Sequence, residues 1–324
     1  ARGSRLRAHG QLADTSRVAH HLDDYLRPFP GKRALLATRQ LDSDGIVQDA
    51  TSILPTMSTT RIVQVTEWPV GAYPNYCDSA VVGNRQYVWV ASFGAGVVTR
   101  IDALSGAIVH LPTGPGTLPL DVAYDSSRKR VVVASADDEA TMVVLDSLGN
   151  TVVRKRLVEG IGQGLSDGGA QGVAVDSEGD YWFSLAYFGA APKGVVVKVD
   201  GDTLEPVLHI KDVGLNNPNG ILFAPVGPYI LALSDNGVAH QFGIDGTLLN
   251  VLETTPVGYR GDVRGKMLWV ASWSADGQMA RVDLSTGQRQ LLPCVPLANS
   301  VTVDNQGRIW VAGDAGASVS APDG

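Results

Sequence analysis

The 324-residue chain predicts an all-β fold, a six-bladed β-propeller closed by an N-terminal strand and preceded by a short N-terminal helical extension. Two observations carry this expectation. One unit of four short strands and tight turns recurs six times from Asp78 onward, with a period of about 40 to 50 residues. Glycine is frequent, at 37 residues, while charged residues make up only 18%, a balance that suits many turns around a large buried interior.

The clearest copy of the unit spans residues 170–185, AQGVAVDSEGDYWFSL. An alternating apolar stretch ending at Val175 meets the turn Asp176-Ser177-Glu178-Gly179-Asp180, and a second apolar run starts at Tyr181, which is a β-hairpin signature. Residues 194–200 (GVVVKVD), the turn Gly201-Asp202-Thr203 and residues 206–210 (PVLHI) supply the other two strands. A meander this small cannot bury both faces alone, so it requires neighbours.

Residues 1–58 fall outside the repeat, and the propeller takes 59–324. Within 16–26 (SRVAHHLDDYL), Val18, Leu22, Tyr25 and Leu26 share one helical face; Asp14, Thr15 or Ser16 caps its start, and Pro28 and Pro30 stop it. His20, His21, Asp23 and Asp24 read as the solvated face of that helix rather than as metal ligands. Residues 32–41 (KRALLATRQL) add a strand or a second contact. Beyond them, inner strands open at Asp78, Asp121, Gln171, Asn219, Asp262 and Asn299, each answered by an apolar second strand such as 88–92 (VWVAS), 131–135 (VVVAS) or 268–272 (LWVAS). The sixth copy ends after its third strand. Residues 61–68 (RIVQVTEW) are therefore expected to supply its outer strand and close the ring, removing exposed sheet edges.

Ring closure also locates a site. The links into the inner strands reach the axis on one face, so Asp78, Asp121, Gln171, Asn219, Asp262 and Asn299 are expected to form a ring there. All are carboxylates or amides, and oxygen donors converging from several blades suit a hard divalent cation or a polar substrate. The alternative is that they cap the strand starts by bonding nearby backbone amides. Around the same face Tyr73, Phe93, Tyr187, Phe188, Tyr259 and Trp273 form an aromatic wall for a small, partly apolar substrate, although such rings also pack between blades.

A net charge of −7 speaks against nucleic-acid or anionic-membrane partners, and no apolar run approaches the roughly 18 residues that a spanning helix needs. Opening on Ala1 without a signal-like stretch, the chain reads as a processed or a trimmed one, and it is expected to be secreted or to belong to the secretory pathway. Cys77 and Cys294 fall near a seam between neighbouring blades, where they either form a disulfide or remain two thiols. No nucleophile-elbow, zinc-protease or dinucleotide-binding signature stands in a suitable setting.

The order of AQGVAVDSEGDYWFS, then NPNGILFAP with Leu233-Ser234-Asp235-Asn236, then Gly261-Asp262 leading into LWVASW resembles the senescence-marker-protein/gluconolactonase family of regucalcin-like six-bladed propellers. Strictosidine synthase and virginiamycin B lyase are related in shape. The resemblance implies a divalent cation (Ca²⁺, Mg²⁺, Mn²⁺ or Zn²⁺) held by Asp78, Gln171, Asn219 and Asp262, with Asp262 and Asn219 as the catalytic pair in metal-assisted lactone or ester hydrolysis. Asn219 and Asp262 match the family's ligands in type, while Asp78 is one methylene shorter than its Glu and Gln171 one methylene longer than its Asn. Some fungal proteins resembling this family are pericyclases, including hetero-Diels-Alderases, which implies a metal-free site where aromatics and amides orient the reactants. A third expectation is a non-catalytic propeller that binds a protein through its top face. Oligomeric state is left open.

Overall fold

Many hairpins of the repeat are returned by the same side-chain chemistry. Asp102 Oδ1 accepts the N–H groups of Leu104 and Ser105 at 3.0 and 2.9 Å, and Gly106 completes the turn at φ 71°. Asp283 repeats the device on Ser285 and Thr286 at 2.8 and 3.0 Å, followed by Gly287 at φ 72°. The aspartate satisfies turn amides that no strand can reach, and glycine takes the left-handed conformation without a Cβ penalty.

The computed structural model describes residues 33–36, 66–159, 168–187, 194–211, 213–255, 257–304, 307–313 and 316–320, all within the unit Lys32–Gly324. A two-stranded ribbon joins β1 (Arg33–Leu36) to β2 (Thr66–Pro69). The first sheet is β3 (Pro74–Val82), β4 (Arg85–Ser92), β5 (Val97–Asp102) and β6 (Ile108–Pro112). The second is β7 (Pro119–Asp125), β8 (Arg130–Ser135), β9 (Thr141–Asp146) and β10 (Thr151–Arg156). The third is β11 (Gly168–Val175), β12 (Tyr181–Tyr187), β13 (Gly194–Val199) and β14 (Pro206–Ile210). The fourth is β15 (Pro218–Ala224), β16 (Tyr229–Ser234), β17 (Val238–Gly243) and β18 (Leu248–Glu253), and the fifth is β19 (Gly258–Arg264), β20 (Met267–Ser272), β21 (Gln278–Asp283) and β22 (Arg289–Pro293). A sixth sheet has three strands among the described residues: β23 (Ala298–Val303), β24 (Ile309–Gly313) and β25 (Gly316–Ser320).

Burial explains this order. Second strands such as β8 and β20 are nearly continuous apolar runs because sheets cover both of their faces, whereas outer strands such as β10 and β18 leave most side chains in solvent. Trp89, Ala91 and Val98 of the first sheet bury against Val131, Val133 and Val143 of the second. Val132, Met142 and Val144 of the second meet Phe183, Val195 and Val197 of the third. With the inner strands β3, β7, β11, β15, β19 and β23 succeeding one another as neighbours, the sheets make the β-propeller arrangement that the repeat predicts.

The N-terminal closure differs from the expectation. Thr66–Pro69 pairs antiparallel with Arg33–Leu36, placing Trp68 opposite Ala34, and not with β25. The reason lies in burial: Trp68 and Val70 pack on Val88, Val90 and Ile101, which draws this segment onto the first sheet, and β1 then satisfies its ladder. The strand expected within residues 32–41 is present as β1, while the helix expected over 16–26 and residues 59–65 lie outside the described residues. Cys77 and Cys294 are free thiols. Cys77 is exposed on β3, whereas Cys294 packs partly buried beside Trp269 and Met279 between the fifth and sixth sheets, so the two sit in different surroundings. Among the described residues no helix is long and apolar enough to cross a membrane.

Phe183 is fully buried between the second and third sheets. Phe183→Ala is expected to lower the unfolding free energy by about 3–5 kcal/mol in chemical denaturation, through lost transfer energy and a residual cavity. A change under about 1 kcal/mol would show that this interface does not carry the fold.

Candidate functional site

Every inner strand has a β-bulge near its start. The register shifts between Pro74 and Cys77, Pro119 and Asp121, Ala170 and Gly172, Pro218 and Gly220, Gly258 and Gly261, and Ala298 and Ser300. The second-strand residue facing the first member is the closing serine in four of these sheets, Ser92, Ser135, Ser234 and Ser272, so the bulges share one depth. A bulge inserts a residue without a ladder partner and re-aims its side chain. The residues released in this way include Tyr76, Gln171, Asn219, Tyr259, Arg260 and Asn299.

Three of the expected ring members, Gln171, Asn219 and Asn299, stand in these bulges. Gln171 and Asn219 are buried there, and Asn299 is half-buried. The amide of Asn219 donates to Asp235 Oδ1. The other three ring members act differently. Asp78 accepts from Ser79 N–H and, across to the second sheet, from Tyr124 N–H, both at 2.7 Å. Asp121 accepts from Val122 and, across to the third sheet, from Val173, both at 2.9 Å. Asp262 accepts from Val263 at 2.7 Å and, across to the sixth sheet, from Val303 at 2.7 Å and the Thr302 hydroxyl at 3.0 Å. One carboxylate oxygen thus caps its own strand while the other ties down the next sheet.

The residue that composition and motif reading missed is Arg260. It is 6% exposed, and its Nη1–H donates to Asp121 Oδ2 at 2.9 Å while Nη2–H donates to the Gln171 carbonyl. Its guanidinium lies over the Tyr76 ring, 3.8 Å from the centroid, a cation–π geometry. Room for this side chain comes from glycine: a Cβ on Gly172 would meet Arg260 Nη1 at 2.8 Å, and one on Gly220 would meet Arg260 Cδ at 3.3 Å. The legible signal was the pair of glycines at matching places on neighbouring inner strands, beside an arginine between Tyr259 and Gly261. Among the described residues, Arg260 Nε has no hydrogen-bond partner, and the buried Tyr76 hydroxyl lies within reach of the Arg260 and Tyr259 side chains. Burial raises the Tyr76 pKa above its ordinary value, against the pull of Arg260, so the phenol stays protonated.

Aromatic residues continue from this pair. Tyr259 is buried 6.3 Å from Tyr76 and 5.7 Å from Trp273, ring centroid to ring centroid. Tyr73 is exposed, holds a φ of 52° and lies against Gly94, while Phe93 is buried in the short 3₁₀ turn Phe93–Ala95 and donates its N–H to the Tyr73 carbonyl at 3.0 Å. Tyr187 ends β12 opposite Gly168, and Phe188 lies outside the described residues.

The four residues expected to hold a divalent cation stand at two levels of the sheets. Asp78 and Asp262 face Trp89 and Trp269, three positions before the closing serines, whereas Gln171 and Asn219 stand in the bulges. That offset along the strand is roughly 7 Å at about 3.3 Å per residue, so the two pairs leave the backbone at different depths. Both aspartates are moreover committed to backbone amides. A separate acidic trio, Asp176, Glu178 and Asp180, sits in the β11–β12 turn. Asp176 is spent on Glu178 N–H, Asp180 N–H and Trp182 Nε1–H, and Lys198 Nζ lies 2.9 Å from Asp180, so the trio locks the turn.

No protein-family model matches the chain, and no curated protein matches it. Among solved structures it is similar to the crystal structure of a protein of unknown function from Bacteroides caccae, with a TM-score of 0.54 and 11% identity over 71% of this chain and 83% of that one. A likeness at this identity bears on the fold alone.

The Asp78 carboxyl is pushed up to about 6, by burial first, with Asp121 adding and the Tyr124 and Ser79 amides pulling the other way. Because the folded value lies above the ordinary one of about 3.9, the stability contributed by the protonated form is full below about pH 4 and is lost as pH rises through 6. Carboxyl-observed NMR is expected to show Asp78 titrating near pH 6, and the wild-type unfolding free energy to fall relative to Asp78→Asn between pH 4 and 6. Titration at the ordinary aspartate value would refute this assignment.

Proposed function

We propose that the chain is a six-bladed propeller, five complete blades and a three-stranded sixth, whose bulge level binds a small organic molecule and orients it for a metal-free cyclisation. The observation that carries this reading is the recurrence of the bulge at one register, which delivers amides, aromatic rings and one buried guanidinium to a common level. A site of this kind works by holding reactive groups in an attack geometry and by presenting fixed dipoles to charge that develops. The hydrolase alternative needs Asp78 and Asp262 as metal ligands, and their bonds to Tyr124 and Val303 argue for a joining role instead. The regucalcin-like resemblance then reflects architecture, not shared chemistry.

Elemental analysis by inductively coupled plasma mass spectrometry, on protein purified without chelator, tests the choice. We expect far less than one equivalent of Ca²⁺, Mg²⁺, Mn²⁺ or Zn²⁺, and we expect Asp262→Ala to lose thermal stability with no change in metal content. About one equivalent of metal in wild type, lost in both Asn219→Ala and Asp262→Ala, would overturn the metal-free reading in favour of assisted lactone or ester hydrolysis.

A further inference from the structure

Among the described residues the imidazole that lies deepest is that of His240, on β17, at 2% exposure. Its ring stacks on Phe242 with centroids 6.2 Å apart, and Phe242 packs with Trp182, Val196 and Ile210 of the third sheet. His240 Nε2 meets the Val213 carbonyl at 3.1 Å. A carbonyl only accepts, so Nε2 carries the proton, and Nδ1 is left as a buried lone pair without a partner among the described residues. The seam between the third and fourth sheets therefore accommodates the neutral ring. A second proton would put a charge among apolar side chains and an N–H on an atom with nothing to donate to.

Residues 213–217, ahead of β15, cover this ring. Val213 bonds it, a Cβ on Gly214 would lie 3.8 Å from Nε2, and Leu215 is buried in the same apolar cluster. Gly214 and Asn217 both hold positive φ, 82° and 43°, so the segment is bent twice through left-handed conformations. The Asn216 carbonyl then accepts the Asp235 N–H at 3.0 Å, and Asn219, in the bulge that follows, donates to the Asp235 carboxylate. One short segment thus connects His240 to the fourth sheet's bulge. The charged and titratable groups on the surrounding elements are Lys198 of β13 with Asp176, Glu178 and Asp180, the half-buried His209 of β14, Lys211 ahead of Val213, Asp235, and Glu253 of β18 paired with Arg289. Asp212 lies outside the described residues.

We propose that His240 is an acid-operated latch on this segment: protonating its imidazole lifts residues 213–217 from the ring and loosens the Asn219–Asp235 contact at the bulge. The closed form holds the neutral ring, and the open form lets the charged ring reach water, so acid shifts the population towards the open form. Burial holds the His240 pKa below its ordinary value of 6.5, with the Val213 carbonyl pulling the other way. The advantage of the closed form is accordingly full above about pH 6.5 and is lost as pH falls below it.

Hydrogen exchange of the Asp235 amide, expressed as protection relative to the intrinsic rate, tests the latch when followed with the His240 ring signals by NMR from about pH 7.5 to about pH 4.5. An Asp78→Asn background removes the carboxyl that titrates near pH 6. We expect the His240 ring to titrate below 6.5 and Asp235 protection to fall about tenfold over the same interval, while the amides of β8 keep theirs. That coincidence is read in the Asp78→Asn protein alone, with His240 intact. His240→Gln keeps an N–H for Val213 and cannot titrate, so the fall is expected to vanish in it, whereas Asp212→Asn and His209→Gln are expected to leave it in place. A ring that titrates with no change at Asp235 overturns the latch. So does a fall that persists in His240→Gln, or one that Asp212→Asn or His209→Gln abolishes.

Discussion

A carboxylate that bonds a peptide N–H in the neighbouring sheet is the constraint on which the axial region depends. Asp78 to Tyr124, Asp121 to Val173 and Asp262 to Val303 span the first and second, second and third, and fifth and sixth sheets respectively. Inner strands of different sheets share no ladder, so hydrophobic packing alone would leave them free to slide by fractions of a residue. A charged acceptor shared between a strand's own amide and its neighbour's fixes that offset. Side chains released at the bulges consequently keep a common level from sheet to sheet.

Arg260 turns this scaffold into a chemical environment. A guanidinium buried to this degree is expensive to desolvate, and it is retained here by an ion pair, a carbonyl and a phenol face at once. Its two neighbouring glycines bring no side chain of their own to the axis; their contribution is the volume that Arg260 occupies. The same Asp121 oxygen serves Val173 and Arg260, so sheet alignment and site electrostatics hang on one atom.

How much of this was legible in the sequence follows from what each signal can see. Apolar periodicity and Asp–Gly turns announced the strands, and they announced them at nearly the right residues. Gln171, Asn219 and Asn299 were legible as residues at the inner-strand starts because they follow directly on the links. Asp78 and Asp262 were read as members of the same ring because a period-two pattern cannot register an inserted residue, and a bulge displaces everything after it. Arg260 was legible only through the glycines that make room for it, because its partner Asp121 is 139 residues away and a solitary arginine in a strand ordinarily points to solvent. The placement of residues 66–69 was decided by the burial of Trp68, a tertiary term that local pairing rules do not contain.

The bulges have a consequence for how such a protein changes over time. A residue outside the ladder can be exchanged without breaking a strand-to-strand hydrogen bond, so Gln171, Asn219 and Asn299 are free to drift in identity while the sheets keep their register. Asp121 and Arg260 have no such freedom, since replacing either strands a buried charge. The architecture thus separates a variable set of positions from a coupled, slowly evolving one, and divergent descendants of this chain would differ in what they accept long before they differ in shape.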